Sequence, residues 1–273
     1  MKQTIYGYSR PFQGGIRQGL LLRLENEKGN VGWGEIAPLP GFSKETYEEA
    51  LQALTDGDHS YPSVQWGIAS ATLDLLHPLD IESIPVRILH GEKIKVGHLT
   101  LDEAIKLTSQ SKCVGVDMNQ KWPLEKTLAF AKHFPDLEYF EEPLKPGEEE
   151  ESVFFPYPVA LDESLRSSQK WNYPFVKAHV IKPMLHGYPL PKKLKGVDFI
   201  LSSSYESEIG IYQIAKLAYR LKIPLKPMGL GTCHLFDEPL FEKEPQVKNG
   251  KLYFPKKWSL KMDKVQVLFD GYI

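Results

Sequence analysis

Cysteine is nearly missing from this chain of 273 residues, where Cys113 and Cys233 are the only two. They form no CxxC pair and no zinc spacing, so buried thiols in a reducing compartment are expected, which suits a cytoplasmic protein. Long apolar runs are missing too. None approaches the ~20 residues of a membrane span, and the opening MKQTIYGYSRPFQGG lacks the continuous apolar core of a signal peptide. Neither charge sign is in excess: a net charge of −2 gives no reason to expect nucleic acid or a membrane surface as partner. The eight histidines make no HxxH or HExxH pattern, which leaves no histidine-based metal motif. What is present is ordinary globular composition, 42% hydrophobic and 25% charged, with room for one large domain or two modest ones.

Residues 1–84 read as a small α+β unit. Two apolar runs, Leu20 to Leu24 and Val31 to Ile36, flank a polar turn containing Gly29 and Asn30, which is a hairpin signal. After the turn at Pro40 and Gly41, Ser43 is expected to cap a helix whose Tyr47, Ala50, Leu51 and Leu54 recur at helical spacing. A second helix is expected from Ser63 to Leu76. Over residues 85–243 the pattern changes to short β-rich runs: VRILHG, KIKVG, CVGVDMN, LEYFEEP, VALDES, AHVIKP, DFILSSS and IPLKPMG. Helix-length segments separate several of them, among these Thr100–Gln110, Leu124–His133 and Glu206–Leu221. Such repeats imply a β/α barrel, with an open doubly wound sheet as the alternative. The tail 244–273, with KLYFP and KVQVLF, fits no further repeat and is expected to return to the amino-terminal unit.

EKIKVGHL, residues 92 to 99, places two lysines on one face of a strand, because strand side chains alternate. On a wet edge such a pair is only a solubility device. The other strand ends favour a different reading. Lys95, Asp117, Glu141, Asp162 and Lys182 follow one another at gaps of 22, 24, 21 and 20 residues, each about one repeat. Taken singly, each acid is more often a surface or capping residue. Five in one register occupy equivalent places on successive strands, and in a barrel that place is the carboxyl-terminal mouth, where active sites of the fold lie. Lys93 and Lys95 are therefore expected to face inward.

Three carboxylates without cysteine or histidine suit a hard cation such as Mg²⁺, or Mn²⁺. A cation that holds a substrate carboxylate makes the neighbouring C–H acidic, and a neutral lysine can take that proton. Lys95 is expected in that role, with burial, the cation and the like charge of Lys93 opposing its protonation.

The chain resembles the enolase superfamily, its muconate-lactonizing subgroup and, within that, the o-succinylbenzoate synthase family. The motifs are GWGEIAPLPGFSKET (32–46), PSVQWGIASA (62–71), KIKVG (93–97), VDMN (116–119), FEEPL (140–144), LDESL (161–165), VIKP (180–183) and SSSYES (202–207). The resemblance implies a modified TIM-type (β/α)7β barrel with an α+β capping domain. It implies Asp117, Glu141 and Asp162 as metal ligands, Lys95 as base, Lys93 as its partner and Lys182 as the lysine of the opposite face. It implies a small carboxylate as substrate and a syn dehydration through an enediolate as the reaction. Ser202 and Gly229 are implied as substrate contacts, and the loop around Phe12–Gln18 as a lid. Gly115 departs from the pattern, since related enzymes often carry arginine there. A second departure is LHGYPLPKKLKG (185–196), too short for a full barrel helix. An N-acylamino acid racemase or a dipeptide epimerase shares the framework, although the GFSKET loop argues against the epimerase. A barrel retained only for binding is the remaining alternative.

Overall fold

The computed structural model describes residues 1–12, 15–88 and 93–272. Contacts divide the chain into two units, Met1–Val86 with Lys182–Pro191 and Leu201–Ile273, and Arg87–Ile181 with Lys192–Ile200.

The first unit opens with β1 (Lys2–Phe12), β2 (Gly15–Glu25) and β3 (Val31–Ile36), an antiparallel meander. Leu20, Leu22 and Leu24 alternate onto one face and bury against α1 (Tyr47–Asp56) and α2 (Pro62–Leu76). Burial of each such leucine contributes roughly 1.5–3 kcal/mol. The glycines of VGWGEI have a steric reason, because a Cβ at Gly32 or Gly34 would strike the α2 carbonyl oxygens of Ala71 or Gly67. The start of α1 corrects the expected cap. Thr46 and Glu49 form a reciprocal capping box, whereas Ser43 accepts the amide of Leu39 at 2.8 Å. The expected lid also needs correction: Gly15 to Gln18 lie in β2, paired with β1 through Arg10 and Arg17, while Gln13 and Gly14 fall outside the described residues. β4 (Ser83–Ile88) follows, and the rest of the VRILHG segment, Leu89 to Gly91, lies outside the described residues.

The second unit is built on β5 (Lys93–Lys95), α3 (Leu101–Ser109), β6 (Gly115–Asp117), α4 (Leu124–Ala131), β7 (Tyr139–Glu141), β8 (Val159–Leu161) and β9 (Val176–Ile181). Successive strands from β5 to β9 pair parallel and in chain order. Their side chains part cleanly between two faces. Val96, Val116, Phe140, Val159 and Leu161 pack outward with Ala104, Phe130 and Ala131, while Tyr139, Ala160, Ala178 and Val180 pack together on the other face. Thr100 with Glu103 caps α3 by a second capping box, one residue inside the expected start.

After β9 come α5 (Pro183–His186), β10 (Asp198–Leu201), α6 (Glu208–Arg220), β11 (Met228–Gly231), β12 (Gln246–Lys248), β13 (Lys251–Tyr253) and β14 (Val265–Tyr272). α5 is four residues long, as the shortness of its segment required. β11 starts at Met228 rather than Ile223, because prolines 224 and 227 remove two ladder donors from IPLKP. In the tail β13 pairs with β4, and β14 pairs with β1 along the edge of the meander. Among the described residues no helix is long and apolar enough to cross a membrane, and Cys113 and Cys233 are free thiols.

Candidate active site

The register places Lys95 beside Asp117 and Asp117 beside Glu141 on three adjacent parallel strands. The expected single register ends there: β8 sets Ala160 opposite Glu141, and Asp162 lies two residues further on, just past the end of the strand. Alternation puts Lys93, Gly115 and Tyr139 one layer below on the same face. Asp117, Glu141 and Asp162 are each only 2% exposed, and Lys95 is half-buried. β5 ends the six-stranded sheet, but Lys93 turns toward Asp117 and Glu141, so KIK does not present that lysine on a wet face.

Lys93 holds the acids together. Its Nζ donates to Glu141 Oε1 at 2.6 Å and to Asp117 Oδ2 at 3.3 Å. Burial opposes the ammonium, but Glu141 and Asp117 outweigh that and raise its proton affinity well above an ordinary lysine's. Glu141 is pushed up as well, first by burial and then by Asp117 and Asp162, against the pull of Lys93. Asp117 and Asp162 thus both act on the charge of Glu141. Asp117 Oδ1 also accepts the Asn119 amide at 2.9 Å, and Asp162 faces Arg166 at 3.7 Å.

Among the described residues no group of three His, Cys, Asp or Glu side chains stands ready to hold a metal ion. The donor set nevertheless fits a hard divalent cation, being three buried carboxylates with oxygen donors only.

Glu142, the second acid of FEEPL, is a supporting residue that the spacing argument passes over. It is fully buried with φ 45°, and its Oε1 accepts the amides of Asp162 at 2.5 Å and Ser164 at 2.9 Å. Its Oε2 takes Gln120 Nε2 at 2.9 Å and the Ser164 hydroxyl. Glu142 thereby orients the backbone that carries Asp162. Its signal in the sequence was the doubled acid itself, whose members point to opposite faces.

Gly115 has a structural explanation. A Cβ there would lie 2.5 to 2.9 Å from atoms of the Tyr139 ring, so the ring occupies the place of a side chain at position 115. Arg87 Nη1 donates to the Tyr139 hydroxyl at 2.6 Å and Arg87 Nη2 to Glu138 at 2.9 Å. Burial and the nearby Glu141 push the phenol up to about 12, against Arg87 and Lys93.

In the first unit, Lys182 directly follows β9 and caps α5, and its carbonyl accepts the amides of Leu185 at 2.9 Å and His186 at 3.0 Å. Ser202 and Gly229 form a parallel bridge just beyond β10 and inside β11, with Ser202 Oγ 3.3 Å from the Gly229 carbonyl oxygen. A Cβ at Gly229 would strike Ser202 Oγ, so glycine is required there.

The fold is a modified β/α barrel with an α+β cap, and it is shared with solved structures. A muconate lactonizing enzyme from Pseudomonas putida superposes with TM-score 0.72 at 15% identity, covering 94% of this chain and 96% of that one. An o-succinylbenzoate synthase from Thermosynechococcus elongatus, complexed with magnesium in its active site, superposes with TM-score 0.70 at 22% identity over 88% and 95%. The family described as MenC, N-terminal domain, matches residues 2–75. An o-succinylbenzoate synthase from Yersinia enterocolitica is 32% identical, covering 89% of this chain and 93% of its own. The chain belongs to the o-succinylbenzoate synthase family.

Proposed function

We propose that this chain is a hydro-lyase, an o-succinylbenzoate synthase that dehydrates 2-succinyl-6-hydroxy-2,4-cyclohexadiene-1-carboxylate to 2-succinylbenzoate in menaquinone biosynthesis. The observation that supports it most is the in-register row of Lys95, Asp117 and Glu141, with Asp162 two residues beyond the partner of Glu141 on the next strand. When bound by Asp117, Glu141 and Asp162, Mg²⁺ supplies positive charge that favours loss of the proton beside the substrate carboxylate. Lys95 Nζ takes that proton and returns it to the departing hydroxyl, so water leaves and the lysine ends as it began. Lys93, kept charged by Glu141 and Asp117, holds those acids in place. Lys182 offsets the enolate charge, with a cation–π contribution as the ring becomes aromatic. Ser202 and Gly229 contact the substrate. The oxygen donors suit Mn²⁺ as well.

For the domains we assign 1–84 with 244–273 to the cap and 85–243 to the catalytic barrel, a division that the pairing of β14 with β1 supports. The two free cysteines support a reducing, cytoplasmic location.

The test is an assay of purified protein with the cyclohexadiene carboxylate and, in parallel, with N-succinyl amino acids. Dehydration is expected; racemisation with no dehydration would replace this reading by the racemase. Lys95→Ala is expected to abolish turnover while calorimetry still detects Mg²⁺ binding, and full activity in that variant would refute Lys95 as the base.

A further inference from the structure

Arg17 is 2% exposed, and its guanidinium donates to main-chain carbonyls of separate segments. Nε reaches Tyr205 O at 3.1 Å, Nη2 reaches Ser204 O at 3.1 Å and Ala37 O at 2.5 Å, and Nη1 reaches Gln18 O at 3.2 Å and also Pro38 O. The planar fork with its five N–H donors is thus fully engaged. Three stretches meet on this one side chain: β2, the residues after β3, and the turn after β10. Desolvating a cation is expensive unless its donors are satisfied, so the arrangement holds something in place.

What it holds is the SSSYES turn. Tyr205 sits at φ 62°, a left-handed conformation that a bulky residue keeps only when its surroundings enforce it. Its ring packs on Phe12 at 4.8 Å, and its carbonyl is the one Arg17 Nε holds. At its other end the turn is tied to β11, with the Ser203 amide on Gly229 O at 2.9 Å and Ser203 Oγ 2.8 Å from Thr232 Oγ1. Ser202 directly precedes the anchored Ser203 and bridges to Gly229 itself. We propose that Arg17 is a positioning residue that, through Ser204 and Tyr205, sets Ser202 and Gly229 for the substrate; this rests on the assignment of those two residues as substrate contacts. Lysine cannot replace it, since one ammonium on a flexible stem cannot reproduce the planar fork.

The experiment compares wild type, Arg17→Lys and Phe12→Ala with a control, Lys216→Met, which breaks the buried pair of Lys216 with Asp74 at 2.5 Å elsewhere in the same unit. Each is read by melting temperature, by KM and kcat for the cyclohexadiene carboxylate, and by amide hydrogen exchange at residues 203–207. In Arg17→Lys, KM is expected to rise about tenfold while kcat stays within about threefold, the pattern of lost binding common to ground and transition states. Exchange in the turn accelerates. Lys216→Met lowers the melting temperature and leaves KM and the turn's exchange unchanged. Phe12→Ala, which removes the ring from Tyr205, loosens the same turn and decides the matter if Arg17→Lys does not fold. Wild-type KM and exchange in Arg17→Lys would overturn the proposal, as would an equal rise of KM in the Lys216 control. A wild-type protein without dehydratase activity fails the functional reading alone, and exchange at the turn then still decides whether Arg17 holds it.

Discussion

Replacing Lys93 by methionine tests the electrostatics of the site directly. The ammonium lies 2.6 Å from Glu141 and 3.3 Å from Asp117, and both acid side chains are only 3% exposed. With an effective dielectric constant near 20, those separations correspond to gross attractions of about 6 and about 5 kcal/mol. Desolvation of all three charges offsets much of this, and removing one partner of a buried pair typically costs about 3–5 kcal/mol. For a chain of this size each ~1 kcal/mol moves the midpoint by about 2–4 °C, so Lys93→Met is expected to melt roughly 6–20 °C lower without added metal. A divalent cation that binds the folded carboxylates stabilises by mass action. In Lys93→Met the acids have lost their ammonium counter-charge, so Mg²⁺ should raise the midpoint of the variant by more than that of wild type. The assay is thermal denaturation by circular dichroism across a Mg²⁺ titration. A variant that loses less than ~1 kcal/mol, or an equal Mg²⁺ effect on both proteins, would refute the reading of Lys93 as counter-charge to buried acids.

Further outcomes follow from other parts of the molecule. Gly115→Ala drives a methyl group into the Tyr139 ring, which Arg87 pins at its hydroxyl; the expected cost is about 1–3 kcal/mol by urea unfolding. Adding Tyr139→Ala should cost less than the sum of the two single changes, and strict additivity would contradict the clash. Burial, then the neighbouring Glu35, holds the Glu206 carboxyl at about 7 against the ordinary 4.5. The folded chain thus keeps a proton there that the unfolded chain releases, so stability contributed by this group falls as pH rises from about 4.5 to about 7. Glu206→Gln should flatten that slope in urea titrations; an unaltered slope would assign it to other groups. Asp162→Asn should raise the Mg²⁺ concentration needed for half-maximal activity, and an unchanged titration curve would count against ligation by Asp162.

Legibility in the sequence followed the range of the interactions involved. Strand ends such as VDMN and FEEPL could be read because a two-residue period and one repeat of spacing are both local properties, and the register confirmed that Asp117 and Glu141 stand side by side. The helix caps were half legible: either Ser43 or Thr46 could serve by residue type, and the Glu three residues after Thr46 decided between them. The Phe12–Gln18 segment misled, because Gly14 and Gly15 suggest a loop, whereas β1 carries the pairing to Phe12 opposite Gly15. Arg17 gave no signal at all, since its acceptors are carbonyl oxygens that every residue possesses.

The amino-acid sequence by itself determined the order of strands, that Lys93 and Lys95 share one face, and the recurrence of one charged residue per repeat, because alternation and repeat length are written along the chain. The tertiary structure alone decided that Lys93 bridges Glu141 and Asp117, that Glu142 supports Asp162 and that the Tyr139 ring fills the space above Gly115. These depend on distances between residues tens of positions apart, which only the pairing of β5 to β8 brings within hydrogen-bonding or van der Waals reach.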